Sequence, residues 1–205
     1  FYLTQWLLSW AFWLAFLHGI RLAHPALYLG WMALTAYLAI FAPLFVALTR
    51  YAVHRARVPL VIAAPLTWVM LELFRAHFLT GFAGGMLGHA LVFWTPLIQM
   101  SDLGGAYFVS ALVMLVATCF VQIVTRRAGG GVPATPRWLL GAVAVVALGA
   151  AWAYGRWQLT SRAANDSNKR PLRVALIQDS IDTIFEFNEE RNSATFEKYR
   201  RATLA

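Results

Sequence analysis

Glu72 and Arg75 are the residues of this sequence best placed to do chemistry or to organise it. They stand three apart in Trp68-Val69-Met70-Leu71-Glu72-Leu73-Phe74-Arg75, a run that is otherwise apolar. On a helix this spacing puts both on one face. Ionisable groups in an apolar helix are costly to hold and default to a functional role, although a pair at the end of a span also anchors it by snorkelling to the interface. After them comes an apolar, Gly-rich stretch, Phe78-Leu79-Thr80-Gly81-Phe82-Ala83-Gly84-Gly85-Met86-Leu87-Gly88-His89. Two readings stay open for it: a binding or interfacial surface, or a re-entrant connector whose glycines allow close packing. His77 and His89 flank it without further ligands at metal-site spacing, so no metal or cofactor is expected. Asp102 precedes an apolar run and is expected to cap its helix. Cys119 is the only cysteine and lies within Val116-Ala117-Thr118-Cys119-Phe120. A reactive thiolate needs a base or a positive charge nearby, so Cys119 is read as a buried structural residue.

The elements that must position these residues are membrane helices. The chain is 60% hydrophobic and 13% charged, with a mean hydropathy of +0.60, whereas soluble domains carry roughly 25% charged residues. A span needs about 20 apolar residues. Five segments qualify or nearly so: Phe1–Ile20, Leu27–Thr49, Val58–Phe74, Leu103–Val124 and Trp138–Trp157. Pro43 and Pro65 fall inside two of them, where neighbouring helices can re-satisfy the freed carbonyls. Tyr28, Trp31, Tyr51, Trp94, Trp138, Tyr154 and Trp157 lie near segment ends, as an aromatic belt would. Phe1 is not an initiator Met and the apolar run begins at once, so the sequence reads as part of a longer protein.

The net charge of +8 does not point to nucleic acid, because the arginines cluster between apolar runs. Arg50, Arg55 and Arg57 mark one loop, and Arg126, Arg127 and Arg137 another; the alternate loops hold Arg21 and Arg75. The positive-inside rule places the rich loops in the cytoplasm and everything after Trp157 outside.

Past Trp157 the composition changes. Residues 158–171 are polar and basic and read as a linker between a transmembrane domain, 1–157, and the start of a second domain, 172–205. Leu172–Gln178 reads as a buried strand. Asn188 is a fair N-cap, Glu189 and Glu190 suit a first helical turn, and Phe196, Tyr199 and Thr203 share a face of a helix over Glu189–Ala202. Strand, loop and amphipathic helix begin an α/β layer.

Several of these runs, taken in order, resemble apolipoprotein N-acyltransferase: Trp68 to Arg75, then Leu79-Thr80-Gly81-Phe82, Leu87-Gly88-His89, and Pro96-Leu97-Ile98-Gln99-Met100-Ser101-Asp102-Leu103-Gly104-Gly105-Ala106-Tyr107-Phe108-Val109-Ser110. Val174-Ala175-Leu176-Ile177-Gln178 is similar to the first strand of that family's nitrilase-like domain. The chain departs from the family pattern with Ala83-Gly84 in place of Pro-Trp, Ala90-Leu91 in place of Ser-Gln, and Phe187 in place of an early Trp. The resemblance implies a membrane all-α bundle of about five transmembrane helices, followed by the truncated start of an α/β nitrilase-like (α-β-β-α sandwich) domain on the periplasmic side of a bacterial inner membrane. It implies a monomeric, phospholipid-dependent enzyme that acylates the α-amino group of a diacylglyceryl-cysteine apolipoprotein through a cysteine thioester. The family's Glu-Lys-Cys triad is expected beyond Ala205, so residues 1–205 by themselves are expected to be inactive. Glu72, Arg75, Gly81, Phe82, His89 and Phe187 are the substrate-binding candidates. The competing class is a non-enzymatic scaffold or transporter-like subunit. A transporter would show broken helices and mid-bilayer polar groups, of which these spans have little.

Overall fold

The computed structural model describes residues 1–79, 81–125, 136–166, 176 and 189–204. The first helix, α1 (Tyr2–Phe16), is 15 residues long, short of the roughly 20 that cross a bilayer. The expected span Phe1–Ile20 is therefore not a single spanning helix. The weak helix formers His18 and Gly19 fall in a turn, and a one-turn α2 (Ile20–Ala23) follows. Pro25 then pushes His24 into extended backbone, with φ −164° and ψ 143°.

Among the described residues, four helical stretches are long and apolar enough to cross a membrane: Leu27–His54, Leu60–His77, Ser101–Thr125 and Arg137–Arg162. The first comprises α3 (Leu27–Ala39) and α4 (Phe41–His54). They part at Ile40 because Pro43 has no N–H for the Ala39 carbonyl and its ring crowds that oxygen. Next come α5 (Leu60–His77), a 3-10 helix (Leu87–Leu91), and a one-turn α6 (Thr95–Ile98) that opens on Thr95-Pro96. Within α7 (Ser101–Thr125), Gly104 (φ −159°) and Gly105 (φ +65°) break the helical backbone. Only the first turn lies before that break. α8 (Arg137–Asp166) is 30 residues long and runs past the apolar segment into the polar residues after Trp157.

α5 packs on α4 and α7, α7 on α8, and α1 on α3. The 3-10 helix rests on α7, and α6 is wedged against α8. Many large apolar side chains face outward, among them Leu29, Met70, Phe120 and Val145. That is the arrangement expected where lipid replaces water and association relies on close packing and internal hydrogen bonds. Between α1 and α3, Trp13, Leu38 and Ala39 form a buried cluster. The Trp10 indole donates to the Thr35 hydroxyl at 3.1 Å, and the Trp6 indole to the Ala36 carbonyl at 3.2 Å.

The last helix, α9 (Glu189–Leu204), begins with Glu189 and Glu190 in its first turn, in line with the expected helix. Phe196 on its apolar stripe is exposed. No strand occurs among the described residues. The expected strand Leu172–Gln178 lies outside them except for Leu176.

Candidate functional site

The last two turns of α5 carry the two charged candidates. Glu72 is 2% exposed and Arg75 5% exposed, and both point into the protein. They do not bond to each other; each reaches the loop that returns after α5. Glu72 Oε1 accepts the Leu87 backbone N–H at 2.7 Å and the Trp68 indole N–H at 2.9 Å. Trp68 lies one turn back on the same helix face, which makes this a local i, i+4 contact. Arg75 donates to the Gly85 carbonyl at 3.4 Å, and its guanidinium lies over the rings of Trp13 (5.2 Å) and Phe82 (6.0 Å). Hydrogen bonds to charged groups contribute about 1.5–3 kcal/mol each. Glu72 Oε2 and Arg75 Nε are buried without a hydrogen-bond partner. The site is thus only part satisfied, and such buried polar atoms carry a desolvation cost.

The intervening loop has to turn sharply for this clamp to close. The Phe78 N–H bonds the Phe74 carbonyl at 2.7 Å, and the Phe82 N–H returns to the Arg75 carbonyl at 2.9 Å. These contacts satisfy carbonyls that the end of a helix leaves open. Gly81 makes the turn at φ +74°, and a Cβ there would collide with the Ala76 carbonyl oxygen, so glycine is required on both counts. Phe82 lands edge-to-face on Trp13 with centroids 6.0 Å apart. Gly88 seats the loop on α7: its N–H donates to Ser110 Oγ at 2.8 Å, and its missing Cβ would lie 2.7 Å from the Ala106 carbonyl oxygen.

Glu72, Arg75, Gly81 and Phe82 therefore come together. His89 is exposed in the 3-10 helix and takes no part in the clamp. Phe187 and Thr80 lie outside the described residues. His77 Nδ1 is 2.8 Å from the Leu73 carbonyl of its own helix, and no cluster of metal-ligating side chains occurs among the described residues. Asp102 does not act as the expected helix cap. The broken backbone at Gly104-Gly105 interrupts the helix it would cap, and its Oδ2 instead accepts from Gln158 at 2.7 Å and Arg162 at 2.6 Å on α8. Cys119 is fully buried in α7. The sequence reading missed Trp68, Trp13 and Ser110. The i, i+4 spacing to Glu72 could have flagged Trp68, but the other two meet the site only through the fold.

Comparison with known proteins adds to this picture. Residues 1–119 match the family described as the apolipoprotein N-acyltransferase N-terminal domain. An apolipoprotein N-acyltransferase of Rhodopirellula baltica is 35% identical over 209 residues, covering 96% of this chain and 36% of the relative. One from Geobacter metallireducens is 30% identical, covering 84% of this chain and 32% of the relative. One from Vibrio vulnificus is 26% identical, covering 88% and 33%. The chain spans about a third of the length of these relatives. No solved structure matches it.

Proposed function

The chain belongs to the apolipoprotein N-acyltransferase family, and from that premise we propose that it supplies the membrane bundle of an enzyme that N-acylates bacterial lipoproteins with a phospholipid acyl chain. The observation that carries this reading is the clamp at the C-terminal end of α5. Two buried charged groups hold an apolar, aromatic-flanked loop in one geometry. A bundle whose task was only to span would not need two nearly buried ionisable groups there. Glu72 and Arg75 fix the loop, Gly81 lets it turn, and Phe82 and the exposed His89 belong to the wall it presents to lipid substrates. Phe187 is assigned to the same substrate-binding set on the family resemblance alone.

The reaction has two steps. A cysteine thiolate attacks the acyl ester of a phospholipid, giving a thioester and a lysophospholipid. The free α-amino group of the diacylglyceryl-cysteine then attacks the thioester, forming the amide and releasing the thiolate. A glutamate as base and a lysine at the oxyanion serve these steps, and this triad is placed in the nitrilase-like domain that residues 172–205 begin. Both substrates lie in the outer leaflet, so that domain is placed on the periplasmic face of the inner membrane. The arginine-rich loops after α4 and before α8 support this orientation.

The test is acyl transfer from phospholipid vesicles to a diacylglyceryl-cysteine peptide by the full-length protein, read by mass spectrometry. Transfer should occur, and it should survive Cys119→Ser, because a thiol buried in the apolar middle of α7 is no nucleophile. Folded full-length protein that transfers nothing, or loss of transfer on Cys119→Ser at normal expression, would overturn the assignment in favour of a scaffold.

A further inference from the structure

On another side of α7 from the Gly88–Ser110 contact, a groove of about 550 Å³ runs between α5, α7 and α8. Ile62 and Leu66 line it from α5, Phe108 and Leu115 from α7, and Ala150 from α8. Its volume falls in the roughly 300–1,000 Å³ range of small-molecule sites. α8 presents Ala147, Ala150 and Ala151 there, whose small side chains leave open the space that larger ones would fill.

Leu103 and Tyr154 lie at one end of the groove. Along α8, Ala147, Ala151, Tyr154, Gln158 and Arg162 recur every three or four residues, so they share a face. The apolar slot therefore leads directly to the Gln158–Arg162–Asp102 cluster. The Arg162 side chain is 55% exposed. A guanidinium has five N–H donors, and the bond to Asp102 leaves others for an anion. Trp152 and Trp157, exposed on the same stretch of α8, suit a headgroup-level position.

An apolar slot at membrane depth is filled by hydrocarbon or by another helix, not by water. A flexible acyl chain fits an apolar slot of this kind with its polar head at the end where Arg162 and Gln158 stand. We propose that the α5–α7–α8 groove is a phospholipid site, holding one fatty acyl chain between the helices and the headgroup phosphate at Arg162 and Gln158. The inference needs only a bilayer around the bundle and stands whether or not the acyltransferase reading does.

The full-length protein in nanodiscs would be irradiated with a phospholipid carrying a diazirine near its chain end, and the adducts mapped by mass spectrometry. Adducts are expected to concentrate on the groove. Ala150→Phe, which fills it, should reduce them by roughly tenfold, and Arg162→Gln, which removes a charge-assisted hydrogen bond, by about fivefold or more. Where Ala150→Phe lowers helical circular dichroism, the smaller Ala150→Leu carries the comparison. Adducts spread evenly over the lipid-facing helices, or unchanged by filling the groove, would overturn the proposal. So would an unlabelled groove that cross-links instead to another segment of the chain or to a second copy.

Discussion

Replacing Glu72 by alanine removes one carboxylate oxygen on which two donors converge, the Leu87 amide at 2.7 Å and the Trp68 indole at 2.9 Å. Both donors stay in place when the acceptor goes. An unsatisfied buried donor costs about 1–3 kcal/mol, so the two together cost roughly 2–6 kcal/mol. Part of that is offset, because the variant no longer buries a carboxylate with one oxygen unpartnered. A net local loss of about 2 kcal/mol is a reasonable central value, and at 1.4 kcal/mol per tenfold it corresponds to a roughly thirtyfold rise in loop opening. Amide hydrogen exchange reads this directly. The Leu87 amide should exchange about thirtyfold faster in Glu72→Ala. The Gly88 amide, bonded to Ser110 rather than to Glu72, should change less. Glu72→Gln keeps an acceptor oxygen and should recover most of the protection. In the full-length protein, acyl transfer by Glu72→Ala should fall by more than the amount of folded protein does. Unchanged Leu87 exchange in Glu72→Ala would show that the carboxylate does not hold the loop. Activity that merely tracks folded protein would reduce the clamp to a structural device.

Three further outcomes are expected. Gly88→Ala places a methyl 2.7 Å from the backbone oxygen of Ala106, so α7 or the loop must shift at a cost of about 1–3 kcal/mol; thermal unfolding in detergent should show the loss, with Gly30→Ala, which meets nothing within 4 Å, as a silent control. In intact cells, cysteines introduced at Arg55 and Arg127 of a Cys119→Ser background should resist an impermeant maleimide while one at Asn168 reacts, and labelling of the two loops from outside would reverse the topology. In α9, the hydrogen bond from Arg200, and then that from Arg201, hold the Glu197 carboxyl below its ordinary range. The folded-state value is the lower one, so this contribution to the helix is complete above the ordinary carboxylate value and is lost as pH falls through the folded one; circular dichroism should lose helicity over that acid window, and Glu197→Gln should remove the step.

What could be read from residues alone was what depends on neighbours in the chain. The apolar runs at Leu27, Val58, Leu103 and Trp138 foretold spanning helices because hydropathy over a window is a one-dimensional property. The helix at Glu189 followed from acidic residues at its start and a stripe at helical spacing. The i, i+3 relation of Glu72 and Arg75 was equally visible, and so was the apolar, Gly-rich composition of the stretch beside them. The partners of these groups were not. Glu72 meets Leu87, Asp102 meets Arg162, and Arg75 lies over Trp13, contacts across separate elements that no local pattern encodes. For the same reason Asp102 read as a cap: its sequence context matched one, and the bond across to α8 exists only once the helices pack. The first apolar run had the composition of a span, yet it breaks after Phe16. Hydropathy measures how well a segment tolerates lipid, whereas the length of an unbroken helix depends on turns and on the helices packed beside it. The groove between α5, α7 and α8 is tertiary in the same sense, since its alanines leave open space only where three helices face one another.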